Sequence, residues 1–222
     1  MAAKIRLSDA EMELVRNASW ILTKNSIMAR AVETMAELHQ AYAAIWGDGI
    51  RFVPSADGGA GRTDSAERID LRIDAIEGVG GSGPKISKGE NYLGLPWVML
   101  DYPRLFGRED VFAIRTFFWW GHGWQLILHV KGRHKVLVEE ALVRGLPVLA
   151  QVGFRVCIGD EEWRHEMEEG NYGAIDGGTE ALVSAREWVK LAVPVGLERW
   201  NEMREVMSGL FGWLVRVLEV KG

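Results

Sequence analysis

The sequence predicts an α+β fold: a long N-terminal helix or helix pair and a C-terminal helix, packed on a small antiparallel sheet centred on a hairpin at 111–131. Three observations predict it. Apolar residues recur at spacings of three and four towards both ends of the chain. A β-branched and aromatic stretch around Gly121-His122-Gly123 fills the middle. The elements come as helices, then strands, then a mixture, rather than as alternating βαβ units. With 222 residues, 48% of them hydrophobic and 26% charged, the chain reads as one domain with a sizeable core.

Ser8 and Glu11 have the spacing of a capping box, in which hydroxyl and carboxylate each bond the other residue's backbone N–H. Leu14, Ala18, Ile21, Asn25, Met28, Val32, Met35, His39, Tyr42 and Trp46 then continue one helical stripe. An interruption is expected at Lys24-Asn25-Ser26, since Asn and Ser favour caps, and an end at Gly47-Asp48-Gly49. Ser55–Ala66 reads as a mobile Gly-rich loop. Arg68–Glu77 fits a strand through Ile69, Leu71 and Ile73, or a helix through Ile69, Ile73 and Ile76; the capping box at Asp64 and Glu67 favours the helix. A Gly-rich linker is expected near 78–89. It contains a literal G-x-G-x-x-G from Gly78 to Gly83, but Pro84, Gly89 and Pro96 leave no helix to point at a pyrophosphate.

Trp97–Asp101 is strand-like and is expected to stop at Tyr102-Pro103. In the hairpin, a three-residue loop pairs Trp120 with Trp124, Phe118 with Leu126, Thr116 with Leu128 and Ile114 with Val130 on an apolar face. The second face pairs Trp119 with Gln125, Phe117 with Ile127 and Arg115 with His129. Lys135–Arg144 reads as a helix ended by Gly145 and Pro147, Val152–Ile158 as a strand, and Asp160–Glu169 as an acidic helix. Thr179 caps a helix over Glu180–Val189, and Leu191–Val195 is extended. Leu197, Trp200, Met203, Met207, Leu210, Leu214 and Val217 mark the last helix.

A net charge of −5 gives no global attraction to nucleic acid. No apolar leader and no run of about 18 apolar residues is visible, so no membrane association is expected and a cytoplasmic location is. Cys157, the only cysteine, reads as inert packing. Glu162 and His165 form a Glu-x-x-His pair without the second copy that a di-iron bundle needs. No metal or cofactor is expected. Between Lys85 and Lys135 there are 8 basic and 4 acidic residues, and between Cys157 and Glu187 there are 9 acidic and 2 basic. The two segments are solvated faces, or they oppose each other across the fold or a dimer.

The second hairpin face holds the candidate site. Arg115 opposite His129 is comfortable where His129 is neutral or where a carboxylate or an anionic ligand lies between them. Asp101 can be that carboxylate, and Tyr102, Arg104, Trp119 and Gln125 complete an aromatic, polar-lined pocket. A structural Arg–Asp pair over a covered sheet accounts for the same residues. The leading expectation is a non-catalytic binding protein that holds a protein partner or a small anion on the Trp-rich sheet. The alternatives are an enzyme with Arg115 as anion holder and His129 as acid/base, and an oligomer subunit whose helical seam pairs with another helix.

Overall fold

The computed structural model describes residues 5–47 and 83–218. In chain order these form α1 (Asp9–Arg16), α2 (Ala18–Trp46), β1 (Lys85–Tyr92), β2 (Leu95–Phe106), β3 (Val111–Trp119), β4 (Gly123–Lys131) and α3 (Arg133–Gln151). Then follow β5 (Arg155–Cys157), β6 (Tyr172–Ala174), α4 (Thr179–Ala185), β7 (Trp188–Val195) and α5 (Met203–Leu218). The seven strands make one sheet in the order β1-β2-β3-β4-β7-β5-β6, antiparallel at every step. The fold is α+β, with helices at both ends flanking the sheet. The expected loop at 55–66, the helix at 68–77 and the first part of the linker lie outside the described residues. From Lys85 on, the expected linker is β1.

The capping box at α1 is formed: Ser8 N donates to Glu11 Oε2 at 2.7 Å, and Glu11 N to Ser8 Oγ at 3.3 Å. The helix breaks at Asn17 rather than at Lys24-Asn25-Ser26. Asn17 closes α1, and its Oδ1 accepts the N–H of Trp20 at the start of α2. Lys24 stays helical because its ammonium, buried against the sheet edge, pairs with Glu90 of β1. The buried stripe of α2 is Lys24, Met28, Ala31, Met35, Leu38, Tyr42 and Trp46, while Asn25 is exposed and His39 half-buried. Gly47, at φ +54°, ends the helix as expected.

One sheet face carries Phe112, Ile114, Phe118, Trp124, Leu126, Leu128 and Val130 into a core shared with α2, α3 and α5. Each such side chain contributes roughly 1.5–3 kcal/mol by leaving water. Thr116, the polar exception on that face, meets the Tyr42 hydroxyl at 2.8 Å.

The hairpin register differs from expectation by two residues. Phe118 faces Trp124, Thr116 faces Leu126, Arg115 faces Ile127 and Ala113 faces His129. The loop still has three residues, but they are Trp120, Gly121 and His122. Gly123 is the first residue of β4, at φ +98°, where a Cβ would lie 2.7 Å from the Val195 carbonyl oxygen. Because the slip is even, every side chain keeps its face.

Two expected element ends and one expected helix are overridden by packing. β2 continues through the cis Tyr102–Pro103 bond, with a bulge between Asp101 and Arg104. α3 runs through Gly145 and Pro147 to Gln151, since Leu146 and Leu149 are buried and Gly145 lets α5 approach. A methyl group at Gly145 would collide with Val217. Gly145→Ala is therefore expected to lower stability by about 2 kcal/mol despite its better helix propensity. Adding Val217→Ala should recover part of that loss, read by urea unfolding. Finally, residues 158–171 form no helix. They cross the second face of the sheet as an irregular strap.

Candidate functional site

The strap lies over sheet residues that sequence patterning puts opposite the helical core. Its backbone carbonyls go to side-chain cations instead of to a helix ladder. Arg186 donates to the carbonyls of Cys157 (3.1 Å), Ile158 (2.7 Å) and Gly159 (2.8 Å). Lys190, on β7, donates through Nζ to the carbonyl of Glu162 at 2.8 Å and to that of Arg164. Further along, the Tyr92 hydroxyl donates to Glu166 Oε2 at 2.5 Å and accepts from the backbone N–H of His165. The acidic segment thus does face the basic one: Glu162 binds Lys131 at 2.9 Å.

Of the expected site residues, three come together beneath the strap. Asp101 and Arg115 are direct cross-strand partners, and Arg115 Nε donates to Asp101 Oδ1 at 2.7 Å. Both are buried. The guanidinium carbon sits 5.1 Å from the centroid of the Phe106 ring and 5.2 Å from that of Trp163, so the group is held between two aromatic rings. Its terminal nitrogens make no hydrogen bond among the described residues. His129, fully enclosed, stands edge-on to Trp163, with ring centroids 5.1 Å apart. Its Nε2 lies 3.0 Å from Glu162 Oε1, out of line for a hydrogen bond, and both atoms lack another partner. Register also places Arg104 on this face, opposite Ala113, and Lys85 next to Asp101. Arg104 Nε donates to the Gly83 carbonyl.

The other three expected residues lie elsewhere. Tyr102 points into the helical core, its ring 4.8 Å from that of His39. Trp119 and Gln125 are at the far end of the second face, where Trp119 stacks on His122 at 3.6 Å. They line an open cleft of about 540 Å³ with Met167 and Pro194. A second open cleft, about 600 Å³, lies along the outer side of the strap beside Trp163 and Glu162.

Electrostatics in the buried layer follow from enclosure and a surplus of cations. Burial, with Arg115, Lys190 and Lys131 adding to it, pushes His129 down to about 2. Burial, with Lys190, Arg115 and His129 adding to it, holds His165 well below its ordinary value. Lys190 is pushed down to about 8, mainly by burial. Burial acts upward on Glu166, but the donors Tyr92, His165 and Arg164 outweigh it and hold the carboxyl low. Cys157 is buried and its thiol pushed up, which makes it unreactive packing. Lys190 has no carboxylate within ion-pairing distance among the described residues. Buried polar atoms without a hydrogen-bond partner concentrate in the same layer: Gln125 Oε1, both ring nitrogens of His129, Glu162 Oε1, His165 Nδ1 and the Tyr172 hydroxyl.

Sequence reasoning missed Lys190, Trp163 and Phe106. The signal for Lys190 was present: it interrupts the apolar run Trp188–Val195 at a position whose neighbours on both sides are core residues. Trp163 was hidden by the expectation of a helix.

Among the described residues no group of three or more His, Cys, Asp or Glu side chains could hold a metal ion. No helix there is long and apolar enough to cross a membrane. Comparison with protein-family models, curated proteins and solved structures finds no match to this chain.

Proposed function

We propose that the protein is a non-catalytic binding protein that holds a small anion, a carboxylate or a phosphate, at Arg115 beneath the strap. The observation that carries this is the state of the guanidinium. Asp101 and two aromatic rings fix its plane, while its terminal N–H donors are unspent. A planar fork oriented in this way suits the two oxygens of a carboxylate or phosphate. Lys85 and Arg104 on the same face, and the buried Lys190, supply positive potential around it. Trp163, which is 53% exposed, is the side chain between Arg115 and solvent. His129, neutral at physiological pH, serves as a hydrogen-bonding neighbour rather than as an acid.

Calorimetric titration tests this with inorganic phosphate and acetate, each matched for ionic strength with sodium chloride. The expected result is a saturable heat with at least one of the two, weakened about tenfold or more in Arg115→Lys, which keeps the charge but loses the fork. Absence of any saturable heat, or equal affinity in Arg115→Lys, would overturn the reading.

A further inference from the structure

Two residues at the loop end of the sheet break local rules, and both line the open cleft of about 540 Å³. The first is Gln125. It is 4% exposed, and its Oε1 has no hydrogen-bond partner. Its cross-strand neighbours are Phe117 on β3 and Pro194 on β7, whose side chains cannot bond an amide. A buried amide left unpaired carries a desolvation penalty that a leucine would not. The second is Leu93, 66% exposed at φ +51°. With Gly94 it makes the two-residue turn between β1 and β2, where Asn-Gly is the favoured pair. Among the described residues it is the only one other than glycine with positive φ. An apolar side chain is thus held out at the cleft against backbone preference.

The remaining walls suit a flat ring. Trp119 is fixed by its indole N–H, which donates to the Tyr92 carbonyl at 3.2 Å. The exposed His122 imidazole lies on it, 10° from parallel, and Met167 and Pro194 extend the apolar lining. Charges at the cleft are spent on each other: Arg164 binds Glu166 and Glu168, and Tyr92 donates to Glu166. The Gln125 carboxamide is left as the buried polar group to be matched. It offers a donor and an acceptor side by side, and turning it about its last bond exchanges the two.

We propose that this cleft binds a neutral nucleobase, as the free base or a nucleoside. The ring lies on the Trp119–His122 stack. Its adjacent N–H and acceptor pair with the Gln125 carboxamide, as glutamine pairs with adenine. A phosphate gains nothing here, because Glu166 and Glu168 outnumber Arg164. The site is separate from Arg115 and does not rest on anion binding there.

Calorimetric titration with adenosine, uridine and AMP tests the inference. The expected result is saturable binding of adenosine or uridine, with AMP no tighter than adenosine. Gln125→Leu is expected to weaken that binding about tenfold or more, and Leu93→Asn to weaken it as well. Both variants should also raise the thermal midpoint, because each removes a local penalty of the free fold. No saturable binding of either nucleoside overturns the inference. So does equal affinity in Gln125→Leu, a midpoint that falls in that variant, or tighter binding of AMP.

Discussion

Arg115→Met is expected to lower stability by about 3–5 kcal/mol, one of the two largest effects in this molecule. The loss comes less from the attraction removed than from the carboxylate left behind. Asp101 is only 6% exposed, and Arg115 is its ion-pair partner at 2.7 Å. A buried charge stripped of its partner keeps the full cost of its lost hydration. The double variant Asp101→Leu with Arg115→Met should therefore be more stable than Arg115→Met alone, because an apolar pair costs little to bury on a face that already holds Phe117 and Ile127. A urea double-mutant cycle checks this, with an expected coupling of about 2–3 kcal/mol. Additive losses would mean that Asp101 reaches water in the folded state.

The other large effect is acid destabilisation above the carboxylate range. His129 and His165 are held neutral in the fold, far below their ordinary value, by burial and by neighbouring cations. In the unfolded chain both take a proton near pH 6.5. Below that pH the unfolded state binds more protons, so stability is complete above pH 6.5 and falls as the pH drops towards the folded values. Between pH 7 and 5 each histidine is expected to remove about 2 kcal/mol, and His39 and His134 shift in the same direction. Against a total stability of roughly 5–15 kcal/mol, the loss is large. Urea midpoints at pH 7, 6 and 5 read it, and His129→Leu should flatten the slope by about one proton. At alkaline pH the sign stays the same. Lys190, pushed down to about 8, loses its proton in the fold before it does in the unfolded chain, so stability rises between pH 8 and 10.

The stripes of α2 and α5 and the two faces of the hairpin are legible in the sequence because burial there follows local periodicity. Met28, Met35, Tyr42 and Trp46, and Met203, Met207 and Leu214, are buried as spaced. Face assignment survived a wrong register because only an odd slip exchanges faces. What the sequence hides is decided by distant partners. Pro147 and Gly145 read as a helix end, yet burial of Leu146 and Leu149 and the close approach of α5 carry α3 through both. Asp160–Glu169 reads as an acidic helix. It is a strap because Lys190 and Arg186, more than twenty residues away, take the carbonyls. The Asp101–Arg115 pair was accessible from strand patterning. The separation of Tyr102 from it was missed because the strand was expected to stop there; the strand continues, and consecutive strand residues point to opposite faces.

The indole N–H resonance of Trp163 during titration with inorganic phosphate, then acetate, tests most directly whether Arg115 anchors an anion beneath the strap. Trp163 lies on the guanidinium, while Trp213, on α5, serves as the remote control. The account predicts a saturable shift of Trp163 with at least one anion, no shift of Trp213, and loss of the Trp163 shift in Arg115→Lys. A Trp163 resonance that ignores both anions, or moves equally in Arg115→Lys, would contradict it.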